Sequence, residues 1–218
     1  MFTNVLSLAV FAGAAMAVPC QPSGTTSPSY SAAAASSTVS ASASASATAI
    51  AAGDKFGLMA LRSASPVHFA QFDAALSSVF LNLPSQNATC DDGTQPTTAD
   101  YATFTLSEDG ELYLYAASAT PQQLYADRSG MGQGKFGYTT GAQPAPRNGE
   151  RTTFAIDQYG DLTLNGSGFI ACPNSIDGAW SVWADAGVAN PAGNSDCLGI
   201  SVRAVEIAGT PNSCVYTQ

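Results

Sequence analysis

A single histidine, His68, serves the whole chain of 218 residues, and none of the five cysteines stands in a CxxC spacing. Zinc sites are built from closely spaced Cys and His, so a zinc-built fold or a zinc hydrolase is poorly supported. Cations are scarce too: seven Lys and Arg face sixteen Asp and Glu, a net charge of −9. That balance lacks the basic footprint that nucleic acid or an anionic membrane needs. The first 53 residues carry no charged side chain at all, and no long apolar run occurs after residue 17. The mature chain is therefore expected to be soluble, without a membrane span or a lipid-anchor signal.

What stands in that uncharged beginning divides in two. Residues 5–17, VLSLAVFAGAAMA, form a short apolar run ending in the small-x-small pattern Ala15-Met16-Ala17. Residues 1–17 read as a secretory signal peptide, although no Lys or Arg precedes the run. Residues 18–53 are mostly Ser, Ala and Thr. Alternating Ser and Ala offers no apolar face to bury, so the segment reads as a disordered tether, rich in hydroxyls for O-glycosylation. The folded domain is expected over residues 54–218.

Secretion changes the reading of cysteine. In an oxidising compartment Cys90, Cys172, Cys197 and Cys214 are expected to form two disulfides. Three connectivities are open; pairing Cys172 with Cys197 and Cys90 with Cys214 is preferred, because the second bridge ties an early segment to the end of the chain. Cys20 is left over. Asn87-Ala88-Thr89 and Asn165-Gly166-Ser167 are N-glycosylation sequons, both in stretches that read as surface turns.

The domain reads as all-β. Residues 104–114 read FxLxxxGxLxL, and residues 154–164 repeat the word with Ile156 at its third position. Alternation of apolar and polar residues about a turn containing Gly is the signal of a β-hairpin. Between the copies, residues 127–151 read as a long polar loop dense in Gly and Pro. Residues 56–63 and 67–72 read as a strand pair turning at Ser65-Pro66, residues 78–83 as a further strand, and residues 168–172, 180–184 and 199–207 as three more. No convincing amphipathic helix appears. The spacing of turns fits a compact antiparallel barrel, of trefoil type given the repeated hairpin, with a two-sheet sandwich as the alternative.

No motif carries chemistry. In Gly130-Met131-Gly132-Gln133-Gly134-Lys135 three residues, where a phosphate-binding loop has four, precede Gly134-Lys135, and Phe136 stands where Ser or Thr would hold magnesium. The loop reads as a backbone-shaping turn. Ser129, Asp127 and His68 lack the nucleophile-elbow context of a hydrolase. The carboxylate pairs Glu108/Glu111 and Asp157/Asp161 flank hairpin turns, where glycosidase work is not expected and the ligand spacing of a calcium loop is absent. No catalytic, cofactor or metal residue is assigned. The one binding candidate is aromatic: on a strand, Trp180 and Val182 face one way and Trp183 the other, so an exposed Trp183 near Tyr113, Tyr115 or Tyr125 would stack on a sugar ring. Trp183, Tyr125, Asp127 and Arg128 form the expected ligand surface.

The words YLYAASATPQ (residues 113–122), DRSGMGQGKFGYTTGAQPAPRN (127–148), ACPNS (171–175) and WADAGVANPAGNSDC (183–197), with the opening FGLMALRSASPVHF and the closing SCVYTQ, resemble the PhiA family of secreted cell wall proteins from filamentous fungi. The resemblance covers essentially all of residues 54–218. It implies a mannoprotein-like wall component, required for phialides and conidia and associated with stress protection, with some relatives resembling human allergens. It brings no catalytic residue. The Ser/Ala-rich stretch from about Pro22 to Gly53 departs from the shorter family pattern and would extend the domain's reach into the wall.

Overall fold

The computed structural model describes residues 49–91 and 101–218. The expected signal peptide, nearly all of the Ser/Ala-rich tether and Cys20 lie outside the described residues. Ile50, within the last turn of the expected tether, already packs against the core.

The two copies of FxLxxxGxLxL form the hairpins that their alternation predicts. In the first, β5 (Thr103–Leu106) pairs with β6 (Leu112–Leu114), Phe104 opposite Leu114 and Leu106 opposite Leu112. In the second, β9 (Phe154–Ile156) pairs with β10 (Leu162–Leu164), Phe154 opposite Leu164 and Ile156 opposite Leu162. The turns match bond for bond: Ser107 N–H donates to Glu111 O and Asp157 N–H to Asp161 O, each at 2.9 Å. Gly110 and Gly160 hold φ of +75° and +81°, the left-handed conformation in which a side chain is costly. The carboxylates of Asp157 and Asp161 are spent on structure, the first capping the N–H groups of Tyr159 and Asp161, the second pairing with Arg203 at 2.6 Å.

The hairpins then take different places. β5 and β6 are staves of a closed antiparallel ring, whereas β9–β10 pairs only within itself. Around the ring the order is β11 (Phe169–Cys172), β13 (Leu198–Glu206), β1 (Lys55–Leu61), β5, β6, β7 (Gln122–Asp127), β8 (Lys135–Thr140), β3 (Ser78–Leu81) and β12 (Trp180–Ala184), which returns to β11. β12 also meets β8 directly, Trp183 opposite Lys135. β2 (Phe72–Ala75) lines β3, and β4 (Thr89–Cys90) pairs with β14 (Cys214–Val215). The fold is all-β, and ring closure makes it a barrel rather than the two-sheet alternative. Along β13 the inward set Ile200, Val202 and Ala204 is buried, as a period of two requires.

Two local expectations are corrected. Residues 127–151 are not one loop: β8 runs through them, paired with β7 from Asp127↔Lys135 to Gln122↔Thr140. Its core contribution is aromatic, Phe136 and Tyr138, both essentially buried. Residues 67–72 are not a strand until Phe72. Ala64 and Phe69 sit at φ of +59° and +67°, which bends the chain back so that Phe69 N–H meets Ala60 O, leaving Val67 buried from within a turn.

Both mouths of the barrel are covered. Phe154 of the β9–β10 hairpin lies 6.0 Å, centroid to centroid, from Phe136, and Phe136 lies 5.2 Å from Phe169. Phe154, Leu162 and Leu164 join the barrel core from outside the ring. At the other end Tyr216 is buried, and its backbone is clamped by the buried side chain of Gln122: Oε1 accepts from Tyr216 N–H and Nε2 donates to Tyr216 O, each at 2.8 Å. The Gln122 amide thus stands in for a neighbouring strand. Tyr138 donates its hydroxyl proton to Thr217 O, and Ser77 N–H to the same oxygen.

Among the described residues two disulfides are present, Cys90–Cys214 and Cys172–Cys197, closing sequence separations of 124 and 25 residues. In the chain-entropy model such loops stabilise the fold by about 5 and about 3.5 kcal/mol respectively.

The ring tolerates no side chain at two glycines. A Cβ on Gly137 would overlap Ser77 O, and one on Gly134 would overlap Ala184 O. Gly137→Ala is therefore expected to lower stability by about 2–4 kcal/mol, read as a lower denaturation midpoint at unchanged m-value. A second prediction concerns Asp73, 7% exposed on β2, whose carboxylate accepts Leu83 N–H at 2.9 Å. Burial pushes its pKa up to about 7, against the lowering effect of that hydrogen bond. The folded state then holds a proton that the unfolded state has released, so the associated stability is complete below about pH 4 and lost as pH rises through 7. The expected outcome is a melting temperature that falls from pH 4 to pH 7.5 and a flatter profile in Asp73→Asn; calorimetry across that range checks it.

Candidate functional site

Period-two alternation on β7 and β8 turns Leu124, Ala126, Phe136 and Tyr138 inward, leaving Tyr125, Asp127, Lys135 and Gly137 on the outer face. Lys135 lies across from Asp127 on one side and Trp183 on the other, so three neighbouring strands bring these residues into one row. Of the expected ligand surface, Asp127 and Trp183 belong to this row. Tyr125 lies one step along, its hydroxyl 3.4 Å from where a Cβ on Gly137 would be. Its ring covers the glycine and is buried, so it presents no stacking face. Neither Tyr113, Tyr115 nor Tyr125 lines the groove beside Trp183.

That groove, of about 310 Å³, is formed where β3, β8 and β12 converge, with Asn194 and Ser175 at its border. Trp183 is half-buried and donates its indole N–H to Ser181 Oγ at 2.9 Å. Lys135 Nζ donates to Ser78 Oγ at 2.6 Å and stands 5.8 Å from the centre of the Trp183 ring, within cation–π reach. Among the described residues no carboxylate pairs with it, the two ion pairs being Arg128–Glu150 and Arg203–Asp161. Burial holds the Lys135 ammonium below the ordinary lysine pKa. The carboxylate across the strand pair, Asp127, is engaged elsewhere, since its Oδ1 accepts from Ser129 N–H at 3.0 Å and from Ser129 Oγ–H at 2.6 Å.

The loop from β7 to β8 fixes this arrangement. Gly134 N–H returns to Asp127 O and Lys135 N–H to Gly132 O, both at 2.8 Å, while a Cβ on Gly132 would overlap the Asp127 side chain. The glycines of this word shape backbone, and the loop's outer tip, Met131, is fully in solvent.

Arg128 lies in a second recess, of about 660 Å³, with Ser129, Glu150, Ser167 and Asp185. It is the larger and the poorer candidate. Arg128 Nε and Nη2 form a bidentate pair with Glu150 at 2.8 and 2.6 Å, and Nη1 donates to Ser167 Oγ at 3.0 Å. The guanidinium holds the Glu150 carboxyl below its usual range, and its own donors face residues of the chain.

The remaining sequence candidates are placed as follows. Asn87 and Asn165 are exposed, both at left-handed φ, Asn165-Gly166 being a two-residue hairpin turn between Leu164 and Ser167. His68 lies in the β1–β2 turn, its Nδ1 accepting Arg62 N–H and its ring against Phe69, apart from the Asp127–Ser129 pair. Among the described residues no group of three His, Cys, Asp or Glu is placed to hold a metal. Sequence reasoning missed Lys135 and Ser78. The alternation in KFGYTT carries a signal for the former, masked by the glycine-rich word before it.

Lys135 is one of two lysines in the chain. Its amine is expected to titrate below the midpoint of a lysine in a free peptide, and Ser78→Ala, which removes its acceptor, to push it lower still. Side-chain NMR against pH reads both.

The model of the family described as PhiA-like secreted protein matches residues 56–217. The chain is 63% identical over 163 residues to the cell wall protein phiA of Aspergillus fumigatus, spanning 75% of this chain and 85% of the relative. It is 56% identical over 167 residues to the protein of that name from Aspergillus niger (77% and 88%), and 53% over 165 residues to that from Emericella nidulans (75% and 87%). No solved structure matches it. On a match that spans the whole barrel and identities above one half, the chain belongs to the PhiA family of secreted cell wall proteins.

Proposed function

We propose that this protein is a noncatalytic glycoprotein of the fungal wall, acting in phialide and conidium formation and in stress protection by its presence as a durable module. The observation that carries this reading is how its ionisable side chains are used. Asp127 caps a loop, Asp157 caps a turn, Asp161 and Glu150 hold arginines across strands, and Glu111 accepts from Tyr113 and Gln123. Groups that an enzyme would leave poised for substrate are committed to the scaffold. N-glycans on Asn87 and Asn165, both exposed, and O-glycans on the hydroxyl-rich residues 18–53 would surround the barrel with sugar and set it out from its point of attachment.

A second reading is favoured by one feature, the half-buried Trp183 in its groove: a lectin-like module for wall glucan or chitin, with polysaccharide or wall protein as partner. Co-sedimentation of the secreted protein with insoluble β-glucan and chitin separates the two. Absence of retention is expected for the structural module. Retention that Trp183→Ala abolishes, with an unchanged melting temperature, establishes the binder, and turnover of a glycan or peptide substrate by purified protein would overturn both.

A further inference from the structure

The groove beside Trp183 holds a cation with no counter-charge among the described residues, in a chain where acids outnumber bases by sixteen to seven. A half-buried ammonium without a carboxylate is an unfavourable arrangement, tolerated only where hydrogen bonds or a ligand offset the lost hydration. Ser78 Oγ supplies one hydrogen bond and the Trp183 ring a face. The cross-strand carboxylate of Asp127 would complete an ion pair if it turned toward Lys135. It is held instead by Ser129, in a loop where Gly132 allows close packing against it. The loop thereby keeps the Lys135 charge open to the groove.

We propose that this groove binds a singly charged carboxylate carried on a six-membered ring, Lys135 pairing with the carboxylate while Trp183 stacks on the ring. Three features select that class. Among the described residues Lys135 is the one charged side chain lining the groove, so it balances one negative charge and leaves a phosphate dianion under-compensated. The Ser181 hydroxyl accepts the Trp183 indole proton and keeps its own proton for a ligand oxygen. A volume of about 310 Å³ suits a single ring at the low end of ligand sites. A uronic acid residue and an aromatic carboxylate share this chemistry. The proposal refines the carbohydrate reading of the same groove by naming the group that Lys135 selects.

Titration of the full secreted protein, followed by the indole N–H signals of its two tryptophans, tests it with glucuronate, its neutral methyl ester, glucose and benzoate. Saturable shifts of the Trp183 signal by glucuronate or benzoate are expected, with the ester and glucose about tenfold weaker or more. Lys135→Met should abolish the preference for the acid and Lys135→Arg should retain part of it. The comparison of acid with ester in the unaltered protein stands even if Lys135→Met fails to fold. Glucuronate binding without benzoate assigns the uronic acid; the reverse assigns the aromatic acid; either supports the site. Equal binding of acid and ester, or no binding of either acid, overturns it. Retention on neutral glucan alongside that failure would leave the lectin-like reading standing, and acid binding without any polysaccharide retention would do the reverse.

Discussion

The structure depends on closing its ring, and the ring closes at β12. This five-residue strand bonds to β11 on one side and to both β3 and β8 on the other. A sheet of many short strands left open would expose two edges of unpaired backbone, and no single stave is long enough to be stable alone. Closure brings backbone against backbone at Gly134, beneath Ala184 O, and at Gly137, beneath Ser77 O. Two missing side chains therefore let β8, from the middle of the domain, lie against the turn before β3 and against the end of β12.

The groove arises from the same convergence. Ser78, Lys135 and Trp183 come from three strands far apart in sequence and lie together because β3 wedges between β8 and β12. The barrel interior is filled by the described side chains of its core. The β9–β10 hairpin covers one mouth with Phe154, Leu162 and Leu164, and Tyr216, gripped by Gln122, fills the other. The groove with Trp183 and Lys135 lies on the outer face of the barrel.

Sequence carried much of this and failed at identifiable places. Both FxLxxxGxLxL hairpins and the strands at Phe169, Trp180 and Leu198 were legible, because aliphatic alternation about a glycine turn depends on local residues alone. β8 was hidden for a physical reason: its core is Phe136 and Tyr138 separated by a glycine that exists for a distant carbonyl, so the pattern resembles a loop. The residues 67–72 alternate well, yet the chain takes left-handed φ at Phe69 to return along β1, a tertiary demand that propensity does not register. The site was half legible. Trp183 was visible as an aromatic on an outward face, and Asp127 stands in its row. Arg128 was visible as a cation, but only cross-strand register shows that Glu150 occupies it while Lys135 is left open.

The bridge between Cys90 and Cys214 has a further consequence for how the molecule comes into being. Cys90 waits for a partner 124 positions later in the chain, and β1 likewise waits for β13. A nascent polypeptide threading into an oxidising compartment exposes its early staves long before their neighbours arrive, so maturation belongs to the interval after synthesis ends. Once sealed, the terminal segment cannot be withdrawn without reduction, and the finished particle's persistence outside the cell becomes a matter of redox chemistry as much as of unfolding equilibrium.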